Sequence, residues 1–143
     1  MIRKFHGFIS LILIVIAVIF GAVIISRVSP LWAVVYLILS MISALLIVYS
    51  FCSKCPCNAV SCGHFFPGKI AQVLPKREEG LYGALDYVGV LASFIILFLF
   101  PQYWLRNEII LITIFWGLVL IALLDIAFFV CKGCENKYCP LHR

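Results

Sequence analysis

Residues 8–25 read FISLILIVIAVIFGAVII, an apolar run that decides the fold class of this chain. The run contains no charged residue, follows the basic pair Arg3 and Lys4, and ends just before Arg27. A helix of about 20 apolar residues is long enough to cross the hydrocarbon core of a bilayer, which is about 30 Å thick. A cleaved signal peptide has a shorter apolar part, of about 7–15 residues, and then a small-x-small cleavage site, and nothing near the end of this run fits such a site well. We therefore predict a retained transmembrane helix over residues 8–26.

Three further apolar runs predict an all-α membrane protein, an up-down bundle with four crossings. Ser29 and Pro30 suit a helix cap and the first helical turn, and the connection that they form is too short for anything but antiparallel neighbours. Pro101 is expected to end the third helix. Helices satisfy their own backbone hydrogen bonds, as lipid requires. We predict a single membrane domain over residues 1–143, with helices at about 8–26, 31–51, 81–100 and 108–130, a cysteine-rich loop at 52–80 and a cysteine-rich tail at 131–143.

The composition supports lipid as the solvent. Hydrophobic residues make up 65% of the chain and charged residues 12%, against roughly 45–50% and about 25% in soluble domains. The formal net charge of +5 does not predict nucleic-acid binding, because the basic residues lie in short segments with no basic helix face. Attraction to lipid headgroups and a role in setting topology explain these charges better.

The lysines and arginines also predict an orientation. The outer side of the bundle would carry only Arg27 and Arg106. The other side would carry Arg3, Lys4, Lys54, Lys69, Lys76, Arg77, Lys132, Lys137 and Arg143. Because positive loops stay in the cytoplasm, we predict that both termini and all the cysteines are cytoplasmic.

The seven cysteines form two clusters, each just after a predicted crossing, and each half of the chain is a helical hairpin that exits into C-x-x-C. Residues 52–64 read CSKCPCNAVSCGH, and residues 131–140 read CKGCENKYCP. Cytoplasmic thiols are normally reduced, which disfavours a disulfide framework. Two C-x-x-C pairs can supply the four thiolates of a tetrahedral metal site. We predict a metal-binding layer with ligands drawn from Cys52, Cys55, Cys57, Cys62, His64, Cys131, Cys134 and Cys139.

Two ways of dividing these ligands stay open. In the first, one site would use Cys52, Cys55, Cys131 and Cys134. A second site would then use Cys57, Cys62, His64 and Cys139, with His142 or His6 as a substitute. The alternative keeps one site local, with Cys52, Cys55, Cys57 and Cys62.

The identity of the metal is open between zinc and an iron–sulfur cluster. His64 within the first cluster favours zinc, which accepts mixed sulfur and nitrogen ligands. Cys-Pro pairs at residues 55–56 and 139–140 favour iron–sulfur ligation, although neither common ferredoxin spacing is intact. Palmitoylated or simply apolar cysteines are the plainer alternative. C-x-x-C-H does not occur in the sequence, which gives no support to a c-type haem.

Two carboxylates, Asp86 and Asp125, fall within predicted helices. Intramembrane acids are costly and usually face the bundle interior or water. They could hydrogen-bond metal ligands or relay protons to a quinone-like substrate. Snorkelling to the interface and helix capping are the plainer roles.

Three functions fit these patterns, and the sequence leaves open whether the protein is an enzyme. The first is a redox or electron-transfer subunit, or an accessory subunit, in which basic residues including Lys69, Lys76 and Arg77 dock a soluble redox partner. The second is a zinc-clamped scaffold in a larger membrane complex. The third is a quinone-linked thiol–disulfide oxidoreductase that uses a C-x-x-C pair. No G-x-S-x-G or H-E-x-x-H motif occurs in the sequence, so a hydrolase has no support.

Overall fold

A computed structural model describes residues 2–55, 62–75, 77, 80–131, 136 and 139. In this part of the chain the secondary structure is helical, without a β-strand. Four helices are long and apolar enough to cross a membrane, namely α1 (Ile2–Val28), α2 (Pro30–Cys52), α4 (Ala84–Leu105) and α5 (Ile109–Val130). A shorter helix, α3 (Phe65–Val73), lies between α2 and α4.

These helices confirm the predicted multi-pass membrane protein and indicate a lipid environment. Large apolar side chains point outward, and Met41, Leu91 and Ile110 are 70%, 62% and 68% exposed. Small side chains such as Ser43 and Ala122 lie in the interior instead. Helices in lipid associate through close packing of small residues, because lipid offers no hydrophobic drive between them. The orientation in the membrane stays a prediction from the charge count.

The bundle is organised around α1, which packs against both α2 and α5, while α2 also packs against α4. The second half of α4 contributes Leu97, Phe98 and Leu105 to the apolar core, where they join Ala17 of α1 and Phe115 of α5. The apolar core is therefore centred towards the end of the bundle where α4 turns into α5. Cys52 and Cys131, which follow from α2 and α5, lie at the other end.

The third candidate span runs past Pro101 to Leu105, with a turn at residues 100–101. Proline has no N–H to donate to the carbonyl four residues earlier, which here belongs to Leu97. The buried Tyr36 hydroxyl of α2 donates to that carbonyl over 2.8 Å. The Gln102 side-chain amide donates to the carbonyl of Phe98 over 2.9 Å. Side chains thus satisfy the backbone around the proline, as an apolar environment requires.

The Tyr36 hydrogen bond gives a first testable prediction. Tyr36→Phe removes the donor to Leu97 and should lower the free energy of unfolding by about 1 kcal/mol, the usual size of such a bond in a membrane protein. Tyr103→Phe is the matched control, since Tyr103 is an exposed residue near the same end of α4. SDS titration of the helical circular dichroism signal in detergent measures both. Equal stability of the two variants would show that the hydrogen bond from Tyr36 to the Leu97 carbonyl does not stabilise the helix around Pro101.

Both helices that lead into the cysteine clusters end in a π turn. These turns span Val48–Cys52 and Ile126–Val130. Ser53 N–H donates to the Val48 carbonyl over 3.1 Å, and Cys131 N–H donates to the Ile126 carbonyl over 2.8 Å. The two hairpins thus exit towards their cysteines through the same local geometry.

The loop predicted over residues 52–80 contains α3, which the sequence analysis did not anticipate. Pro67 and Gly68 read as turn residues in the sequence, but they fall in the first turn of this helix. Proline is tolerated there because first-turn amides have no helical acceptor. The helix therefore forms despite these two residues.

Candidate functional site

The first C-x-x-C pair forms a compact turn at the end of α2. Cys55 N–H donates to the Cys52 carbonyl over 3.2 Å. The Ser53 hydroxyl donates back to the Tyr49 carbonyl and joins the turn to the helix. The two thiols that flank this turn are half-buried.

Thiols from three segments of the chain lie close enough to Cys52 for their charges to act on it. Its side chain interacts electrostatically with Cys62, Cys55 and Cys139. Cys55 belongs to the turn after α2, Cys62 precedes α3, and Cys139 lies in the C-terminal tail. We refer to Cys52, Cys55, Cys62 and Cys139 as the thiol cluster.

The thiol cluster combines residues that the first predicted division kept apart, whereas the local alternative already placed Cys52, Cys55 and Cys62 together. The first division placed Cys52 and Cys55 with Cys131, and it placed Cys62 and Cys139 in a second site. Cys131 lies directly after α5. Two other predicted ligands, Cys57 and Cys134, and the substitute ligand His142 lie outside the described residues. Within the described ranges, no three His, Cys, Asp or Glu side chains already form a group that could hold a metal ion.

Asn136 is a buried contact of the thiol cluster that the sequence gave no reason to single out. Its side chain is 2% exposed. The amide nitrogen donates to the Cys55 sulfur over 3.4 Å and to the Tyr82 hydroxyl over 3.1 Å. Amide donors to cysteine sulfur are typical of the surroundings of bound metals.

Tyr82 links the thiol cluster to the end of α2. Its ring stacks on Phe51, with centroids 4.5 Å apart, and its hydroxyl donates to the Phe51 carbonyl over 3.3 Å. Burial raises the pKa of Tyr82, and the hydrogen bond from Asn136 opposes that rise. The negative charge of ionised Cys55, Cys139 and Cys52 raises the pKa of Tyr82 further. This phenol therefore stays neutral beside the thiols.

A buried ion cluster lies at the start of α4, next to the C-x-x-C turn. Asp86 is 2% exposed and accepts from Lys54 Nζ over 2.7 Å and from Arg77 Nη1 over 2.5 Å. Its carboxylate also accepts from the Gly83 N–H over 2.9 Å, which caps the helix. The Arg77 guanidinium lies over the Tyr49 ring, 5.2 Å from its centroid. Asp86 thus combines the predicted capping role with two ion pairs that sequence spacing did not reveal.

Asp125 forms a separate polar contact at the same end of the bundle. His6 Nδ1 lies 2.7 Å from Asp125 Oδ1, and the His6 ring stacks on Phe129 with centroids 4.4 Å apart. The second oxygen, Oδ2, is buried and has no hydrogen-bond partner among the described residues. This contact joins α1 to α5 and places the His6 ring within hydrogen-bonding distance of a carboxylate.

His64 interacts with Asp125 as well. Burial lowers the pKa of His64, and the negative charge of Asp125 partly opposes that effect. His64 was predicted as a ligand beside Cys62 and Cys139. It directly precedes α3, and the charge that acts on it is that of Asp125.

Two glycines bring the segment before α3 against the bundle. A Cβ atom at Gly7 would lie 2.3 Å from the Gly63 carbonyl oxygen, and one at Gly63 would lie 2.6 Å from Val130 Cγ1. The backbone at Gly63 therefore lies between the start of α1 and the end of α5. This contact places Cys62 at the same end of the bundle as the C-x-x-C turn.

Comparison of the chain with known proteins finds no similar family. No protein-family description, no curated protein and no solved structure matches it.

Proposed function

We propose that this multi-pass membrane protein binds a metal centre through the thiol cluster and acts as an electron-transfer or accessory subunit. The observation that carries this proposal is that the charges of three thiols, drawn from three segments of the chain, act on Cys52. Thiolate sulfur is the ligand of choice for iron–sulfur clusters and for structural zinc. The four members of the cluster equal the number of ligands that either centre takes.

The surroundings of the cluster also suit a thiolate-bound metal. Asn136 provides an N–H donor to the Cys55 sulfur, and such donors orient and stabilise ligating thiolates. The four thiols make up an all-sulfur set, which both iron–sulfur clusters and structural zinc accept. Metal binding would draw the four sulfurs into tetrahedral contact, in the way that binding and folding are coupled in small metal domains.

Two roles follow from the identity of the metal. An iron–sulfur centre would pass electrons between the membrane and a soluble redox partner. Of the residues predicted to dock that partner, Lys69 is exposed, Arg77 pairs with Asp86, and Lys76 lies outside the described residues. A zinc centre would instead tie the end of α2 to the C-terminal tail, as expected of a scaffold subunit in a larger complex.

Elemental analysis of anaerobically purified protein tests the proposal. We expect close to one centre per chain, with visible absorption and iron for an electron-transfer subunit or colourless, zinc-containing protein for a scaffold. Protein that contains neither metal would overturn the proposal. In that case thiol–disulfide exchange becomes the better explanation of the cysteines.

Cysteine variants identify the ligands. Cys62→Ser should lower metal affinity by more than about 100-fold, because even the loss of an outer contact of a ligand costs about 10-fold to 100-fold. Cys131→Ser is the matched comparison and should retain the metal. The reverse result would be loss of the metal in Cys131→Ser but not in Cys62→Ser. It would favour the site that joins Cys52 and Cys55 to Cys131.

A further inference from the structure

We infer that Asp86 and Lys54 are positioning residues, which hold the Cys52 and Cys55 thiols on one side of their turn. The inference rests on the proposed metal centre. Lys54 is the residue immediately before Cys55. Its ammonium group, 2.7 Å from a buried carboxylate of another helix, fixes the turn from outside.

Asp86 can act as a fixed point because it is held from several directions. The Gly83 N–H and the Arg77 guanidinium both bind its carboxylate. It lies in the first turn of α4, a helix that packs against α2. A carboxylate held in this way cannot follow movements of the C-x-x-C turn, so the turn has to follow Asp86.

The Lys54 side chain is itself enclosed, with 14% of it exposed. A lysine on an open surface would gain little from an ion pair, because water screens the charges and the side chain stays mobile. Enclosure limits the rotamers of Lys54. Because the side chain is restricted, its ion pair with Asp86 also restricts the backbone between Cys52 and Cys55. The ion pair therefore acts on the geometry of the turn.

A second contact holds the other side of the same turn. Tyr82, four residues before Asp86, stacks on Phe51 and hydrogen-bonds its carbonyl. Phe51 directly precedes Cys52. The segment that leads into α4 thus holds the C-x-x-C turn at both ends, through Phe51 and through Lys54. This arrangement preorganises two thiols for one metal ion.

Lys54→Met is the informative variant, because it removes the charge but keeps a long apolar side chain. Asp86 keeps Arg77 and Gly83 as partners in this variant, so the fold should survive. Lys54→Arg restores a cation and should therefore restore the zinc affinity of wild type. Lys4→Met is the matched control, since Lys4 is an exposed lysine at the same end of the bundle.

The first readout is zinc affinity of the full-length protein in detergent, measured by competition with a chelator. Lys54→Met should bind zinc about 10-fold to 100-fold more weakly than wild type, the range for loss of an outer contact. Lys54→Arg and Lys4→Met should bind as wild type does, and circular dichroism should show that all four metal-free proteins are folded under the conditions of the zinc titration. If Lys54→Met binds zinc as tightly as wild type does, the inference is overturned while the metal centre stands.

The second readout does not need a metal. Phenylarsine oxide condenses with two neighbouring thiols, forming two As–S bonds and releasing one water without a change in oxidation state. A background with only Cys52 and Cys55 retained, the other cysteines being serine, reports on this pair. Capture should be at least several-fold slower in Lys54→Met than in the unsubstituted background. If wild type binds no metal, the proposed function fails, and this rate alone decides the inference: equal rates overturn it, and slower capture supports it.

Discussion

Gly7→Ala should destabilise the protein by about 3 kcal/mol, the upper end of the usual cost of overpacking. The added methyl group would lie 2.3 Å from the carbonyl oxygen and 2.9 Å from the carbonyl carbon of Gly63. Both are backbone atoms, so the conflict cannot be relieved by rotating a side chain. The segment that carries Cys62 should therefore move away from α1.

Gly117→Ala is the control for Gly7→Ala. Both glycines lie within transmembrane helices, but a Cβ atom at Gly117 would meet nothing within 4 Å. We expect Gly117→Ala to change the free energy of unfolding by less than about 0.5 kcal/mol, as for most open sites, or to stabilise slightly through helix propensity. SDS titration followed by circular dichroism gives both values. Equal destabilisation by the two variants would show that Gly63 does not pack against Gly7.

Asp86→Asn should cost about 3 kcal/mol, because it leaves two cations in a buried cluster without their counter-charge. Breaking a buried ion pair on one side costs about 3–5 kcal/mol. We expect the lower end because Arg77 is 28% exposed and can turn towards water. The same SDS titration measures the loss. Glu108→Gln is the control, since Glu108 is an exposed acid at the N-cap of α5.

The double variant Asp86→Asn/Lys54→Met sharpens this test. Removing one of the two unpaired cations should recover part of the stability lost in Asp86→Asn. A double variant that is less stable than Asp86→Asn would mean that packing of the Lys54 stem, and not its charge, supports the turn. Independent sites would instead give additive losses.

The four crossings could be predicted from the sequence because they depend on local properties. A run of apolar residues as long as residues 8–25 has few stable alternatives to a helix in lipid. The end of the third crossing could not be predicted in the same way. Pro101 removes a backbone donor, and the replacement is the hydroxyl of Tyr36, which is far away in the sequence.

The site was only partly readable for the same reason. C-x-x-C spacing identifies Cys52 and Cys55 as a pair, and the local alternative added Cys62, but no spacing rule shows that the charge of Cys139 acts on Cys52 as well. Neither Asn136 nor Tyr82 belongs to a sequence motif. Only their burial and hydrogen bonds in the structure show that they lie beside the thiols. Asp86 was visible as a charge inside an apolar helix, whereas its partners Lys54 and Arg77 were not.

The polar contacts at the cysteine end differ in when they can form during synthesis. Lys54 and Arg77 both precede Asp86 in the sequence, so their contacts can form as soon as α4 leaves the ribosome. The contact between His6 and Asp125 joins the first crossing to the last, and it has to wait for α5. If α4 enters the bilayer early, the charge of Asp86 would therefore already be paired with Lys54 and Arg77. The contact between His6 and Asp125 would form only after all four helices have been inserted.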